Sequence, residues 1–275
     1  MRGGLRRFAR NRMALLGAFV IACVCVLTVA APFLYPAGAF SLAGPPLQPP
    51  GARFLLGTDA LGRDVAAGLV EGARTSLLIG IAAALGAVML GATIGGVAGY
   101  YRGAADIVLM RITEFFQTIP AFLLAMLLVV ILSPSVASVI IAITAVSWPG
   151  IARLVRGEFV ALGGREFIMA SAGLGASGPR IIFRHLLPNC LSSIIAVGSL
   201  LVATAILLET GLAFLGLGDP NVMSWGLQIS AGRVSLRSAW WICTFPGIAI
   251  LLTVLSINLI GDGLNEALNP RLRER

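Results

Sequence analysis

RLVRGEFVALGGREFIMASAGLGASGPRIIFRHLLP, residues 153–188, is the longest polar interval on one side of an otherwise apolar chain. It carries Arg153, Arg156, Arg165, Arg180 and Arg184, the glutamates Glu158 and Glu166, and the only histidine, His185. Phe167, Ala170 and Leu174 recur at spacings of three and four, which predicts a short helix over 166–174 with those side chains on one face. Gly173, Gly175 and Gly178-Pro179 break that helix, and a second begins at Arg180 and runs to Leu187, ahead of Pro188. Two short helices with an apolar stripe and a basic fringe, set between apolar spans, suggest a docking surface. The competing reading is an amphipathic helix lying on lipid headgroups.

Outward from this interval the chain is apolar. Of its 275 residues 58% are hydrophobic and 12% charged, and mean hydropathy is +0.95. That is too little charge to coat a soluble domain, so the class is polytopic membrane protein. Six spans are expected, at 13–34, 76–99, 107–132, 136–151, 191–214 and 240–260, each approaching or exceeding the roughly 20 apolar residues that cross a bilayer except the fourth, which is short at its polar end. They must be helical, because hydrocarbon offers a free amide no partner. The fourth is expected to end at Trp148-Pro149-Gly150. A cleaved leader is the rival reading of the first, with Val29-Ala30-Ala31 as a small-residue site.

All 20 basic residues are arginine. Without lysine there is no Walker A loop of the standard kind and no Schiff base. One histidine excludes a His-rich metal site, and Cys23, Cys25, Cys190 and Cys243, in or beside spans without CxxC spacing, read as buried small hydrophobes. The net charge of +8 follows topology. With the N-terminus cytoplasmic, Arg2, Arg6, Arg7, Arg10, Arg12, Arg102, Arg111, the five of the central interval, Arg271, Arg273 and Arg275 share one side. Only Arg53, Arg63, Arg74, Arg233 and Arg237 lie on the other. The positive-inside rule then puts both termini and the central interval in the cytoplasm, and nucleic acid is not an expected partner.

Small residues crowd the second span, with Gly91 and Gly95 as a GxxxG pair for close helix approach, within the bundle or against a partner. Arg111 and Glu114 are placed to pair. Pro120 allows a kink in the third span, and Phe115, Phe116, Gln117 and Thr118 before it are candidates to line a pathway. Glu209, a carboxylate at membrane depth, is a functional candidate or a group buried by partners. In the external loop, Thr58 or Asp59 can cap a turn, and Asp59, Arg63 and Asp64 can pair locally to form a clasp.

Four motifs carry a resemblance. Residues 56–64, Leu-Gly-Thr-Asp-Ala-Leu-Gly-Arg-Asp, and 72–77, Gly-Ala-Arg-Thr-Ser-Leu, closely resemble the LGTDxLGRD…GARxSL signature of the dipeptide, oligopeptide and nickel permease family of ABC importers. The interval 153–188 resembles that group's cytoplasmic EAA loop. Gly175 and Leu187-Pro188 match, while Met169-Ala170-Ser171 stands for Glu-Ala-Ala and His185 for the Ile. Glu209 to Gly218, followed by Ser224-Trp225-Gly226, resembles E-x-x-L-x-F-L-G-L-G. Asn258 to Leu272 resembles the terminal NLxGDxLRDxLDPR, with Asn265 for Arg and Asn269 for Asp, and should end in a tail helix stopped before Pro270.

The resemblance implies an all-α membrane protein of six transmembrane helices, the transmembrane domain of a type I ABC importer. Residues 1–75 would form an N-terminal helix and extracytoplasmic loop, and 76–275 the permease core with a coupling loop at 152–190. It implies carriage of dipeptides or oligopeptides, or alternatively nickel, glutathione or another small solute, and no enzymatic activity. Implied partners are a second, similar permease, two ATPase subunits, an extracytoplasmic binding protein and membrane lipid. ATP and Mg would be held by the ATPases, leaving no cofactor or metal in this chain. The cytoplasmic membrane of a bacterium or archaeon is the implied location. On this reading Glu166, Phe167, Ala170, Ser171, Gly173, Leu174 and Gly175 dock the ATPase, and Phe116, Gln117, Thr118 and Glu209 are path candidates. Asp59, Gly62, Arg63 and Asp64 belong to the extracytoplasmic motif. Two other classes compete. An ion-coupled secondary transporter would show inverted repeats and midplane ligands, and a membrane enzyme would need clustered catalytic groups; neither pattern is found.

Overall fold

The structure is a computed structural model, and it describes residues 8–268. The described part is helical, with α1 (Arg12–Leu34), α2 (Val65–Tyr101), α3 (Gly103–Thr118), α4 (Ala121–Leu132), α5 (Val136–Gly163), α6 (Glu166–Gly173), α7 (Gly178–Ile181), α8 (Leu187–Phe214), α9 (Trp225–Gly232) and α10 (Trp241–Leu268). Five segments are long and apolar enough to cross a membrane, and α3 with α4 makes a sixth if that bent pair counts as one span. The six expected segments are therefore present. The tail expected beyond the last helix, with Asn269 and Pro270, lies outside the described residues, as do Arg2, Arg6, Arg7, Arg271, Arg273 and Arg275.

The bundle is built on the seam between α2 and α5. At 37 residues, α2 is roughly 55 Å long, well beyond the ~30 Å hydrocarbon core. Its glycines let α5 approach backbone to backbone. A Cβ on Gly91 would come 2.6 Å from the Trp148 carbonyl oxygen, one on Gly95 would overlap the Ala152 carbonyl, and one on Gly99 would come 2.7 Å from Phe159 Cβ. The GxxxG face thus closes within this chain. Below the seam, Ile79, Ala83, Ala125, Val129, Val139, Ile143 and Leu212 join α2, α4, α5 and α8 in one apolar core. On the other flank α1 packs on α10, where Gly17 lies against the Ser256 carbonyl. Cys23 and Cys25 on α1 are exposed, not buried as their composition suggested, and only Cys190 is fully enclosed.

Three prolines behave differently. At Pro120 the expected kink is a full break. Ile119 is extended (φ −87, ψ 128), as the proline ring demands of the residue before it, and α3 and α4 meet at 88°. At Pro149 the expected end of the fourth span does not occur. Trp148, Pro149, Ile151, Ala152, Val155 and Phe159 are buried along one continuous face, and packing on α2 carries α5 to Gly163 despite one lost backbone bond. At Pro188 the expected boundary is also absent, since 178–214 forms one continuous segment. A wider turn over Ile182–Leu186, in which Leu187 N–H reaches the Ile182 carbonyl, absorbs the ring with an extra residue.

Candidate functional site

The end of the bundle that carries α6 is where the sequence placed a docking surface. Helix α6 is fixed from beneath. Ile168 is buried with Ile151, Val155, Phe159, Ile181 and Leu186, and Arg165 N–H donates to the Leu162 carbonyl at 2.9 Å. Ser171 Oγ lies 3.3 Å from His185 Nε2, tying α6 to the wide turn. The opposite face is bare. Phe167, Met169 and Ala170 are exposed, Leu174 is 90% exposed, and Phe183 stands beside the turn at 69%. Gly175 adopts φ +81, a left-handed conformation that favours glycine and ends the helix. Neither Gly173 nor Gly175 has any atom within 4 Å of where a Cβ would stand, so crowding inside this chain does not require them to be glycine. Arg165, Arg180 and Arg184 are exposed around this face.

The seven expected docking residues thus lie together, with Ser171 half-buried and the other six exposed. The sequence missed Ile168, Met169 and Phe183. Ile168 sits one position off the 167/170/174 stripe, and its inward aim is set by the α5–α6 angle. No periodicity over eight residues encodes that angle.

A polar network couples this end to the spans. Arg156 on α5 holds Asp106 on α3 in a bidentate pair, Nε to Oδ1 at 2.6 Å and Nη2 to Oδ2 at 2.7 Å. Arg102 Nη2 donates to the Val160 carbonyl at 3.2 Å, and Ser193 Oγ on α8 donates to Glu158 Oε1 at 2.8 Å. The pair was invisible in the sequence because its partners lie fifty positions apart. By contrast, Arg111 and Glu114 pair as expected, at 3.1 Å and in the open.

The path candidates do not form one cluster. Phe116 packs edge-on against Trp148 with centroids 5.4 Å apart. Gln117 Oε1 accepts from Arg153, and Thr118 Oγ1 donates to the Phe115 carbonyl at 2.7 Å. These three sit where α3 breaks. Glu209 is instead buried against α9, its Oε1 accepting from Ser224 Oγ at 2.7 Å. Gly226 makes room for it, since a Cβ there would stand 3.2 Å from the carboxylate.

At the other end, the loop before α2 forms a clasp. Thr58 is fully buried; its Oγ1 donates to the Pro45 carbonyl at 2.7 Å and accepts from Gln48 N–H at 2.8 Å. Its carbonyl accepts from Trp241 Nε1 at 3.1 Å, tying the clasp to α10. Asp59 Oδ1 accepts from the amides of Leu61 and Arg63, both at 2.8 Å. Asp64 caps α2 through Ala66 N–H at 2.8 Å. Gly62, at φ +80, accepts on its carbonyl from Ala43 and Gly44. The expected ion pairing among Asp59, Arg63 and Asp64 is absent among the described residues. Both aspartates spend an oxygen on backbone amides, and Arg63 stacks over Phe40 at 5.0 Å instead.

A bundle of helices long and apolar enough to span a membrane, with one short helix presented at its end, defines the class of polytopic membrane proteins. Within that class the chain belongs to the family of binding-protein-dependent transport system inner membrane components, whose model matches residues 87–274. Residues 1–50 match the N-terminal TM domain of oligopeptide transport permease C. Such a chain is a membrane-spanning transport component, not an enzyme. It is 40% identical over 275 residues to the dipeptide transport system permease protein DppC of Alkalihalophilus pseudofirmus, covering 99% of this chain and 90% of that one. It is 36% identical to the glutathione transport system permease protein GsiD of Pectobacterium atrosepticum, covering 98% and 90%. Its fold resembles a chain of the inward-facing MetNI methionine ABC transporter, with a TM-score of 0.61 at 19% identity over 73% of this chain and 96% of the other.

Proposed function

We propose that this chain is the transmembrane subunit of an ABC importer that carries dipeptides or oligopeptides across the cytoplasmic membrane of a bacterium. The names of its full-length relatives support that cargo, and the exposed apolar face of α6 above the buried Ile168 carries the docking assignment. Two ATPase subunits, which hold the ATP and Mg, sit on the cytoplasmic face, and one of them seats on Glu166, Phe167, Ala170, Ser171, Gly173, Leu174 and Gly175. A second, similar permease completes the pathway, and a binding protein delivers solute from outside. Closure of the ATPase pair moves α6. Because Ile168 embeds α6 in the α5–α8 core, and Arg156–Asp106 links α5 to α3, that motion reaches the break at Pro120. Phe116, Gln117 and Thr118 sit where the moving segment meets the spans; Glu209 holds the α8–α9 corner. Both termini face the cytoplasm, which the arginine asymmetry supports. The division at residue 75 separates the anchor and clasp from the transporting core.

The test is uptake of labelled dialanine by cells lacking this chain and by cells in which it is restored. Restored uptake that needs ATP supports the proposal, and unchanged uptake on deletion refutes it. Glutathione is the second cargo reading, favoured by the 36% identical relative, and uptake of labelled glutathione in the same strains separates the two.

A further inference from the structure

Where α1 ends and α2 begins, a cavity of about 280 Å3 is lined by Thr28, Ala31, Pro32 and Tyr35 on one side and by Glu71 and Arg74 on the other. Helix α1 lies at the rim of the bundle, its apolar stretch only 11% buried. At 23 residues it is roughly 35 Å long, enough to cross the ~30 Å hydrocarbon core, so its last two turns stand where acyl chains give way to headgroups. Glu71 is half-buried. Its Oε2 accepts from Ala39 N–H at 2.7 Å, which leaves Oε1 available. Gly38, at φ +77, turns the chain so that this amide reaches the carboxylate. Arg74 is exposed one turn further along α2, yet it does not pair with Glu71. Among the described residues, ion pairs form only at Arg111–Glu114 and Arg156–Asp106. Tyr35 keeps its proton, since burial and then the Asp64 carboxylate raise its pKa above the usual phenol value. The Thr28 hydroxyl is already spent on the Val24 carbonyl at 2.8 Å, so with Ala31 and Pro32 it forms an apolar floor.

A reachable cation and a reachable carboxylate thus share one helix, a turn apart and unpaired, over an apolar floor at headgroup depth. A headgroup carrying a phosphate alone would meet Glu71, a simple cation would meet Arg74, and hydrocarbon would leave both charges without partners. A phosphodiester joined by a short linker to an ammonium satisfies both. The geometry points to a site for the phosphoethanolamine group of a membrane aminophospholipid. Arg74 presents its planar fork to the phosphate oxygens, Tyr35 O–H donates to the same group, and the ammonium donates to Glu71 Oε1. At about 280 Å3 the cavity holds a headgroup and not a whole lipid. The acyl chains run on along α1, where Val26, Val29 and Phe33 are exposed. Such a lipid fills the gap between α1 and the start of α2 and ties the rim helix to the clasp. The site depends on the spans, and not on α6 or on which solute the complex carries.

The experiment is native mass spectrometry of the full-length chain with its co-purifying subunits, delipidated and then titrated with phosphatidylethanolamine or phosphatidylglycerol of matched acyl chains. The wild type should retain phosphatidylethanolamine about tenfold more tightly or better, because phosphatidylglycerol offers Glu71 no cation. Glu71→Gln keeps an acceptor for Ala39 N–H and removes the charge, so it should erase that preference while phosphatidylglycerol still binds. Arg74→Gln should weaken phosphatidylethanolamine about tenfold or more. Thermal melting accompanies each variant, and the loss of preference in Glu71→Gln decides if Arg74→Gln loosens the fold. Equal retention of both lipids by the wild type overturns the proposal, as does a preference that survives both substitutions. So does lipid that binds the isolated chain and is absent from the assembled complex, since a subunit then fills the cavity. Free glycerophosphoethanolamine should compete poorly; if it competes as well as the intact lipid, the group comes from solution and the lipid assignment falls. Failure of dialanine uptake would count against the transport reading and leave this one standing.

Discussion

Replacing Gly95 by alanine should destabilise the bundle, although alanine is the better helix former. A Cβ at Gly95 would overlap the Ala152 carbonyl oxygen and lie 2.9 Å from both the carbonyl carbon and Cα of that residue. Carbon atoms rest about 3.5–4.0 Å apart, so α2 and α5 must separate by roughly 0.5–1 Å, a gap that forfeits a quarter to a half of each contact's dispersion energy. The obstacles are main-chain atoms, which no rotamer change moves. The cost should thus fall near the top of the ~1–3 kcal/mol range for overpacking. The gain in helix propensity returns about 1 kcal/mol, leaving a net loss of about 2 kcal/mol. At about 2–4 °C per kcal/mol, Tm should fall by about 4–8 °C. Gly150 on α5 is the matched control. It has no atom within 4 Å of a Cβ, so Gly150→Ala should hold or raise Tm. Scanning fluorimetry of both variants in nanodiscs reads the difference. A Gly95→Ala protein that melts at or above wild type would refute the account of the seam.

Other outcomes follow from the same geometry. Ala170→Arg places a cation at the centre of the docking face, and an unpaired charge buried at an interface costs about 3–5 kcal/mol. Uptake should drop by more than about tenfold and ATPase recovery in pull-downs should fall, with membrane insertion normal; normal uptake and recovery would favour a helix resting on headgroups. A double-mutant cycle of Asp106→Asn and Arg156→Gln should give a coupling energy of about 1 kcal/mol, because half-exposure discounts a charge-assisted bidentate pair. A coupling of zero would remove that pair from the link between α5 and α3. A reporter active only outside the cytoplasm, fused after Arg275, should stay silent; a strong signal would reverse the topology.

What the sequence could and could not show divides by range. Span positions were legible because each is a run of apolar residues whose backbone has no alternative to helix in lipid. The GxxxG pair was legible as a packing face, while the choice of α5 as its partner needed the fold. Proline was the misleading signal. Pro120, Pro149 and Pro188 look alike in one dimension, yet one breaks the chain, one is carried by buried packing and one is absorbed by a widened turn. Local propensity sets the cost of each, and tertiary contacts decide whether it is met. On α6, the exposed stripe was visible and its buried anchor was not. In the clasp, charge alternation suggested ion pairs, but backbone amides in a tight loop were the nearer partners for Asp59 and Asp64.

The central claim is that α6 seats on an ATPase. A photo-cross-linking benzophenone side chain in place of Phe167, on the exposed face, tests it in living cells. The account predicts one dominant protein adduct, with a subunit whose sequence carries a Walker A loop and its lysine, lost when Ala170→Arg is added. Adducts to lipid alone, or to no nucleotide-binding protein, would contradict it.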